Sequence, residues 1–234
     1  PSTNSTISNN IIRNTQNGAH AILVNSRAGL NSSGILISQN SIYNNAKLGI
    51  NINISSKDVD STNDEVTPND GIKDLNTANS GMDYPISTSA YLNTSGNELT
   101  INGYVGNDPS GNSIFGNSIV EVFLAQEFGD IDGEVILGDG LSIAHGEGKT
   151  YLGTFTTDAN GLFSATLNVT GLSLGDVLTF TATDEVNNTS EFSNNFIIET
   201  EPLPSLTITK EVDESEIDAP TTLNYTITVV NTGN

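Results

Sequence analysis

The feature that most constrains the fold is an internal repeat in the first fifty residues. The segment Ile7–Asn14 (ISNNIIRN) returns thirty positions later as Ile37–Asn44 (ISQNSIYN), and a short apolar segment follows each copy, at 21–24 and at 49–52. Strands this short do not form an independent sheet. We therefore expect the copies to stack on one another, each burying its Ile and Leu side chains against its neighbour.

Asparagine recurs at matching positions of the two copies, Asn10 with Asn40 and Asn14 with Asn44. Stacked copies would place these amides in a ladder that also bonds to the backbone of the turns. The pattern Ile-x-x-Asn-x-Ile-x-Asn, followed by Gly-Ile-x-Ile, resembles the right-handed parallel β-helix repeats of bacterial exported proteins. The resemblance implies that residues 1–54 are the last coils of such a β-helix, and we expect further coils upstream.

Residues 55–83 are acidic and polar, rich in turn formers and without periodicity, which indicates a linker or closing segment. The stretch Val66–Gly71, running on to Met82–Pro85, is similar to the segment that ends a β-helix and leads into a sandwich domain. We therefore place a domain boundary near residue 83.

Residues 84–198 contain seven strand-like segments separated by Gly, Asn, Asp and Pro. Several alternate apolar with polar residues, the pattern of a strand that is buried on one face. Seven short alternating strands favour a two-sheet β-sandwich. The predicted strands are Pro85–Tyr91, Glu98–Val105, Ser118–Ala125, Thr150–Thr157, Leu162–Val169, Val177–Thr183 and Glu191–Ile198.

The segments Tyr151–Gly161, Ala182–Asp184 and Thr189–Ser193 resemble a bacterial immunoglobulin-like domain that often follows such β-helices. The chain has neither Cys nor Trp, so the disulfide and tryptophan of antibody domains do not carry over. The predicted fold class is therefore all-β: β-helix coils, an immunoglobulin-like β-sandwich over 84–198, and a truncated second sandwich.

The truncated sandwich is predicted at the end of the chain. Residues 199–204 contain two prolines and two glutamates, a composition typical of an extended linker. Residues 205–234 hold two further alternating segments, and they resemble the start of a tandem repeat domain of bacterial adhesins. Thirty residues are too few to close a core, so we expect this tail to be poorly packed.

The charge of the chain restricts its partners. Seven Lys plus Arg against 28 Asp plus Glu give a formal net charge of -21, which repels nucleic acid and anionic membrane surfaces. A cysteine-free chain rich in Asn, Ser, Thr and Gly favours a bacterial protein that is secreted or displayed on the cell surface. Expected partners are surface glycans or proteins of a host or neighbouring cell, without direct membrane insertion.

Patterns for catalysis are weak. Gly171–Gly175 (GLSLG) matches the nucleophile elbow of α/β-hydrolases, but a strand is predicted after it instead of a helix, and no histidine follows Ser173. His20 and His145 are the only imidazoles and are expected in different domains, so no triad or zinc cluster can be assembled. We predict that this chain has no catalytic residues and is not an enzyme; if a longer protein that contains it is an enzyme, we expect the active site to lie outside this chain.

Calcium is the one cofactor that the sequence suggests, because hard cations bind carboxylate and carbonyl oxygens. Two acidic loops place carboxylates close together, and Asp74 with Asn76 forms a third, smaller candidate. The alternative interpretation is that these are solvated acidic loops. The candidate ligands in the two loops are Asp58, Asp60, Asp64, Asp130, Asp132 and Glu134.

Three functions compete. The first is a structural or adhesive module that holds a binding region away from the cell. The second is the accessory C-terminal part of a β-helix polysaccharide lyase or hydrolase, with the sandwich as spacer or glycan-binding module. The third is direct binding of a regular surface by the Asn, Ser and Thr ladder, as in some ice-binding β-helices; the irregular loop 26–33 makes that ladder short.

Overall fold

A computed structural model describes residues 3–16, 19–26, 31–53, 66–125, 143–202, 205–213, 216, 219 and 222–231. The described residues are all-β: they form sixteen strands and one short 3-10 helix, η1 (Ala78–Gly81). The chain divides into two compact units, Pro1–Glu199 and Thr200–Asn234. The first unit contains the repeats, which we call the repeat region (3–53), and the part that we call the two-sheet region (85–199).

The strands of the repeat region are short and lie in two sets of three. They are β1 (Thr3–Ser8), β2 (Ile11–Arg13), β3 (Ile22–Asn25), β4 (Ser33–Ser38), β5 (Ser41–Tyr43) and β6 (Ile50–Asn53). Each strand of the first set pairs in parallel with its counterpart in the second: β1 with β4, β2 with β5 and β3 with β6. The copies of the sequence repeat are therefore stacked strand on strand, as the repeat predicts.

The register aligns equivalent apolar residues of the two copies. Ile7 lies opposite Ile37, and Ile12 lies opposite Ile42. The second copy is the better buried, because Ile37 and Ile42 are 3% and 1% exposed whereas their counterparts Ile7 and Ile12 are only partly buried. Side chains from all three strands of the second copy meet in one core, in which each contributes the transfer free energy of its apolar surface.

One rung of the asparagine ladder is formed by side chains. The Oδ1 atom of Asn40 accepts hydrogen bonds from the backbone N–H of Asn10 at 3.0 Å and from its Nδ2 at 3.1 Å, and Asn40 Nδ2 donates to the Ile7 carbonyl at 2.8 Å. At the next turn, Asn14 donates its backbone N–H to the Asn44 carbonyl, at 2.9 Å. Both Asn14 and Asn44 have positive φ, which asparagine tolerates better than most residues.

Replacing Asn40 by alanine should lower the free energy of unfolding by about 1–2 kcal/mol, because a buried amide that makes three hydrogen bonds between the copies is lost. The measurement is urea unfolding at equilibrium, followed by circular dichroism. Asn168→Ala, at an exposed position of a later strand, is the matched control and should shift stability by no more than about 0.5 kcal/mol. Equal effects of the two substitutions would contradict the interpretation.

The strands of the two-sheet region form two four-stranded sheets. They are β7 (Pro85–Leu92), β8 (Glu98–Val105), β9 (Ile119–Ala125), β10 (Gly148–Thr156), β11 (Leu162–Asn168), β12 (Val177–Thr183), β13 (Phe196–Ile197) and β14 (Glu199–Thr200). One sheet has the strand order β10-β9-β12-β13, and the other has the order β11-β8-β7-β14. Both sheets contribute to a single apolar core, which includes Leu99 and Ile101 from one and Val120 and Phe180 from the other.

Most strands predicted for this region agree with the structure to within two residues at either end. The predicted alternation in β11 is also present, since Phe163 is buried while Ser164 and Thr166 are exposed. The last predicted strand is the exception. Of 191–198 only Phe196–Ile197 is strand, because Glu191 and Phe192 turn toward the repeat region.

The second unit contains an antiparallel pair, β15 (Leu206–Val212) and β16 (Tyr225–Asn231), whose described side chains are all exposed. Lys210 Nζ lies 4.0 Å from the centroid of the Tyr225 ring, and the backbone N–H of Asn224 donates to the Asp213 carboxylate at 3.1 Å. A two-stranded sheet has little capacity to bury its apolar face, which agrees with the weak packing expected of this tail.

Candidate functional site

The second copy of the repeat has an edge that the first copy does not cover. The outer edge of a β-strand presents unpaired N–H and C=O groups, which must be satisfied when they are buried. Here side chains of the two-sheet region accept hydrogen bonds from those N–H groups. We call this set, Glu121, Glu147, Asn188, Thr189 and Glu191 with the backbone that it contacts, the acidic junction.

Two of the junction carboxylates bind the turns after β4 and β5. Glu121 accepts from Ser38 Oγ at 2.5 Å and from the backbone N–H of Gln39 at 2.8 Å. Glu147 accepts from the backbone N–H of Asn45 at 3.0 Å and from its Nδ2 at 2.7 Å. In both cases the two carboxylate oxygens each have a donor, so an amide in the same place could not accept both bonds.

The third carboxylate, Glu191, connects β6 to the segment that follows it. Its Oε1 accepts from the backbone N–H of Ile52 at 2.7 Å, and its Oε2 accepts from the backbone N–H of Thr67 at 2.8 Å. Thr67 in turn donates its hydroxyl to the Ile52 carbonyl at 3.1 Å. Glu191 is 2% exposed, so these contacts are shielded from water and define one geometry.

Uncharged groups bind the edge of β4. Asn188 Oδ1 accepts from the backbone N–H of Gly34 at 2.7 Å, and Thr189 Oγ1 accepts from that of Ile37 at 2.9 Å. Between them, Asn79 of η1 bonds to Ile35 as a strand neighbour would. Its Oδ1 accepts from the Ile35 N–H at 3.1 Å and its Nδ2 donates to the Ile35 carbonyl at 2.9 Å.

Apolar contacts complete the interface. Phe123 and Phe192 join the core of the repeat region, and their rings lie edge to face with centroids 5.5 Å apart. Strand β9 explains how one strand serves two cores: Val120 and Val122 face the core shared by the two sheets, whereas Glu121 and Phe123 face the repeats. The period-2 alternation of a strand produces this division.

Burial governs the ionisation of the junction acids. Removal from water raises the pKa of Glu191 to about 8, although its hydrogen bonds to Ile52 and Thr67 act in the opposite direction. Burial likewise raises the pKa of Glu121, opposed by its bonds to Gln39 and Ser38. Asp83, which precedes β7, has a pKa raised to about 7 by burial, with a smaller contribution from Asp70.

Two further acids anchor the segment between the regions. Asp83 accepts from the backbone N–H of Gly71 at 2.9 Å. Asp184 forms an ion pair with Lys73 Nζ at 3.0 Å and accepts from the backbone N–H of Asn188 at 2.9 Å, so it also positions a junction residue. The Lys73–Asp184 ion pair thus holds segment 55–83 to the two-sheet region, whereas the Asp83–Gly71 bond lies within the segment.

The predicted calcium ligands cannot be placed in the site. Asp58, Asp60, Asp64, Asp130, Asp132 and Glu134 all lie outside the described residues. Asp74 is described, and its Oδ1 accepts from the backbone N–H and the Nδ2 of Asn76, at 2.9 and 3.1 Å. Within the described ranges, no group of three or more His, Asp or Glu side chains could hold a metal ion. Calcium binding by the two acidic loops stays a prediction.

The two histidines occupy separate structural settings. His20 Nε2 lies 2.9 Å from Asn51 Nδ2 in the repeat region. His145 is 1% exposed, lies edge-on to Tyr84, and bonds through Nδ1 to the Phe192 carbonyl at 2.9 Å. Gly171–Gly175 forms a turn with positive φ at both glycines, and strand β12 follows it, so the strand and helix of a nucleophile elbow are not combined there.

The junction carboxylates are buried and each is directed at backbone or side-chain donors of the repeats. The sequence offered one signal for these carboxylates: Glu121 stands within an otherwise apolar strand, Ile119–Ala125.

No known protein family matches the chain. Among the described residues, no helix has the length and apolar character that crossing a membrane requires.

Proposed function

We propose that the chain is a structural and adhesive module of a large secreted or surface-anchored bacterial protein. In this proposal the repeat region is the end of a right-handed parallel β-helix, and the two-sheet region is an immunoglobulin-like domain that closes its last coil. The observation that carries the proposal is the acidic junction, in which the two-sheet region satisfies the edge of the second repeat copy.

Edge closure supports this role for a physical reason. An open edge of parallel strands pairs with other chains and leads to aggregation, so a stacked array needs a terminus that ends the pairing. The acidic junction ends the strand pairing with carboxylate and amide side chains. Their oxygens accept hydrogen bonds from the backbone N–H groups of the edge without presenting a new strand edge there. A module built in this way can hold a distal binding region at a fixed distance from the cell.

The proposal is tested by comparing adhesion with catalysis. The purified chain, coupled to beads, is expected to make the beads adhere to bacterial or host cells above the level of albumin-coated beads. The same protein is expected to release no unsaturated or reducing sugar ends from acidic and neutral polysaccharides. Sugar release would favour the accessory part of a polysaccharide lyase or hydrolase, and beads that fail to adhere would contradict the adhesive role.

A further inference from the structure

The two-sheet region contains a groove apart from the acidic junction. It lies where the end of β10 and the turn after it, Thr156–Asp158, approach β8 and the start of β11. The groove has a volume of about 600 Å³. This is within the roughly 300–1,000 Å³ that sites for small ligands occupy.

Strand pairing gathers polar side chains at this groove. In β8, Asn102 and Tyr104 are two residues apart and so lie on the same face of the sheet. Asn102 is opposite Ser164 of β11, and Tyr104 is opposite Leu162. Asp158, in the turn before β11, lines the same groove.

Several polar atoms of this lining have no hydrogen-bond partner within the described protein. Asn102 donates its Nδ2 to Ser89 at 2.8 Å, and its Oδ1 remains available. Asp158 Oδ1 accepts hydrogen bonds from the backbone N–H groups of Asn160 and Leu162, and its Oδ2 has no hydrogen-bond partner among the described residues. The Tyr104 and Ser164 hydroxyls have no partner among the described residues either, so the groove offers both donors and acceptors to a ligand.

The lining also has an apolar part. The half-buried ring of Tyr104 presents a flat aromatic surface, next to the aliphatic side chain of Leu162. Sites that bind small ligands combine such surfaces with a few convergent polar groups. A sugar ring matches both features, since its C–H face packs on an aromatic ring while its hydroxyls donate and accept hydrogen bonds at the rim.

The negative charge of the groove and of the chain disfavours anionic ligands. The one charged side chain in the lining is Asp158, and the chain as a whole carries a formal charge of -21. Both disfavour uronic acids and sulfated sugars. We infer that this groove binds a segment of a neutral carbohydrate chain; the groove is bounded by Asn102, Tyr104, Asp158 and Ser164. This inference rests on the adhesive role proposed above and specifies the ligand class for that role.

The test uses the full chain and an array of neutral and acidic oligosaccharides, followed by calorimetric titration with cellohexaose, xylohexaose, mannohexaose and hexagalacturonate. At least one neutral oligosaccharide is expected to bind. Tyr104→Ala should weaken that binding by at least about tenfold, because the stacking surface is lost. Tyr104→Phe keeps the ring and should stay within about threefold of the unaltered chain.

The matched control is Tyr91→Ala, because Tyr91 lies on the same sheet face but outside the groove lining. It should leave binding unchanged, and melting temperatures of all variants show whether each one folds. Binding of no neutral oligosaccharide, preferred binding of hexagalacturonate, or equal losses for Tyr91→Ala and Tyr104→Ala would each overturn the inference. If the beads adhere to cells while no neutral oligosaccharide binds, the ligand assignment fails and the adhesive role stands.

Discussion

Replacing Glu191 by leucine is expected to lower the free energy of unfolding of the first unit by about 2–5 kcal/mol at pH 6. The substitution leaves the backbone N–H groups of Ile52 and Thr67 without their acceptor in a buried place, and each such loss costs about 1–3 kcal/mol. At pH 6 the Glu191 carboxyl is protonated in the folded chain, because its pKa is about 8. The substitution therefore removes no buried charge whose loss could offset this destabilisation. Equilibrium urea unfolding of the full chain measures the change.

Two companion variants make this result specific. Glu191→Gln keeps one acceptor oxygen and should destabilise by less than half as much. Glu185→Leu makes the same chemical change at an exposed position and should stay within about 0.5 kcal/mol of the unaltered chain. If Glu191→Leu is no worse than Glu185→Leu, the carboxyl does not hold the two regions together.

The first unit is expected to be less stable at pH 9 than at pH 5. Glu191, Asp83 and Glu121 all have folded pKa values above those of the unfolded chain, near 8 and 7 for the first two. A carboxyl of this kind contributes stability that is complete below its unfolded pKa of about 4 and is lost as pH rises through its folded pKa. For Glu191 alone the loss is on the order of 4 kcal/mol.

Urea unfolding at pH 5, 7 and 9 measures this dependence. Glu191→Gln removes one titrating group and should flatten the curve most strongly between pH 5 and pH 7, where the carboxyl is still protonated in the folded chain but already ionised in the unfolded chain. Stability that rises from pH 5 to pH 9 would mean that the junction carboxylates are ionised and favourable in the folded state, which is the opposite of what their burial predicts.

The sequence predicted the elements whose pattern is repeated or alternating. The offset of thirty residues between the two copies fixed the pairing of Ile7 with Ile37 and of Ile12 with Ile42, because equivalent residues of stacked copies must lie in register. The third pair is offset by fewer residues, since Ile22 lies opposite Ile50. Loop lengths between strands vary without disturbing the core, and periodicity does not constrain them.

The junction was beyond prediction because its partners are far apart in sequence. Glu191 and Ile52 are 139 residues apart, and no local pattern links a glutamate to a particular backbone N–H. The predicted strand over 191–198 was too long for the same reason, since Glu191 and Phe192 are used in packing against the repeats. Isolated acids among apolar residues, such as Glu121 between Val120 and Val122, were the available signal.

Native-state hydrogen exchange at the backbone amides of Gln39, Asn45 and Ile52 tests the central claim most directly. If carboxylates of the two-sheet region hold these amides, they should exchange only with global unfolding of the first unit, at the rate of a core amide such as that of Val122. Exchange through local opening, orders of magnitude faster than at Val122, would show that the edge of the repeat region is not held by the junction.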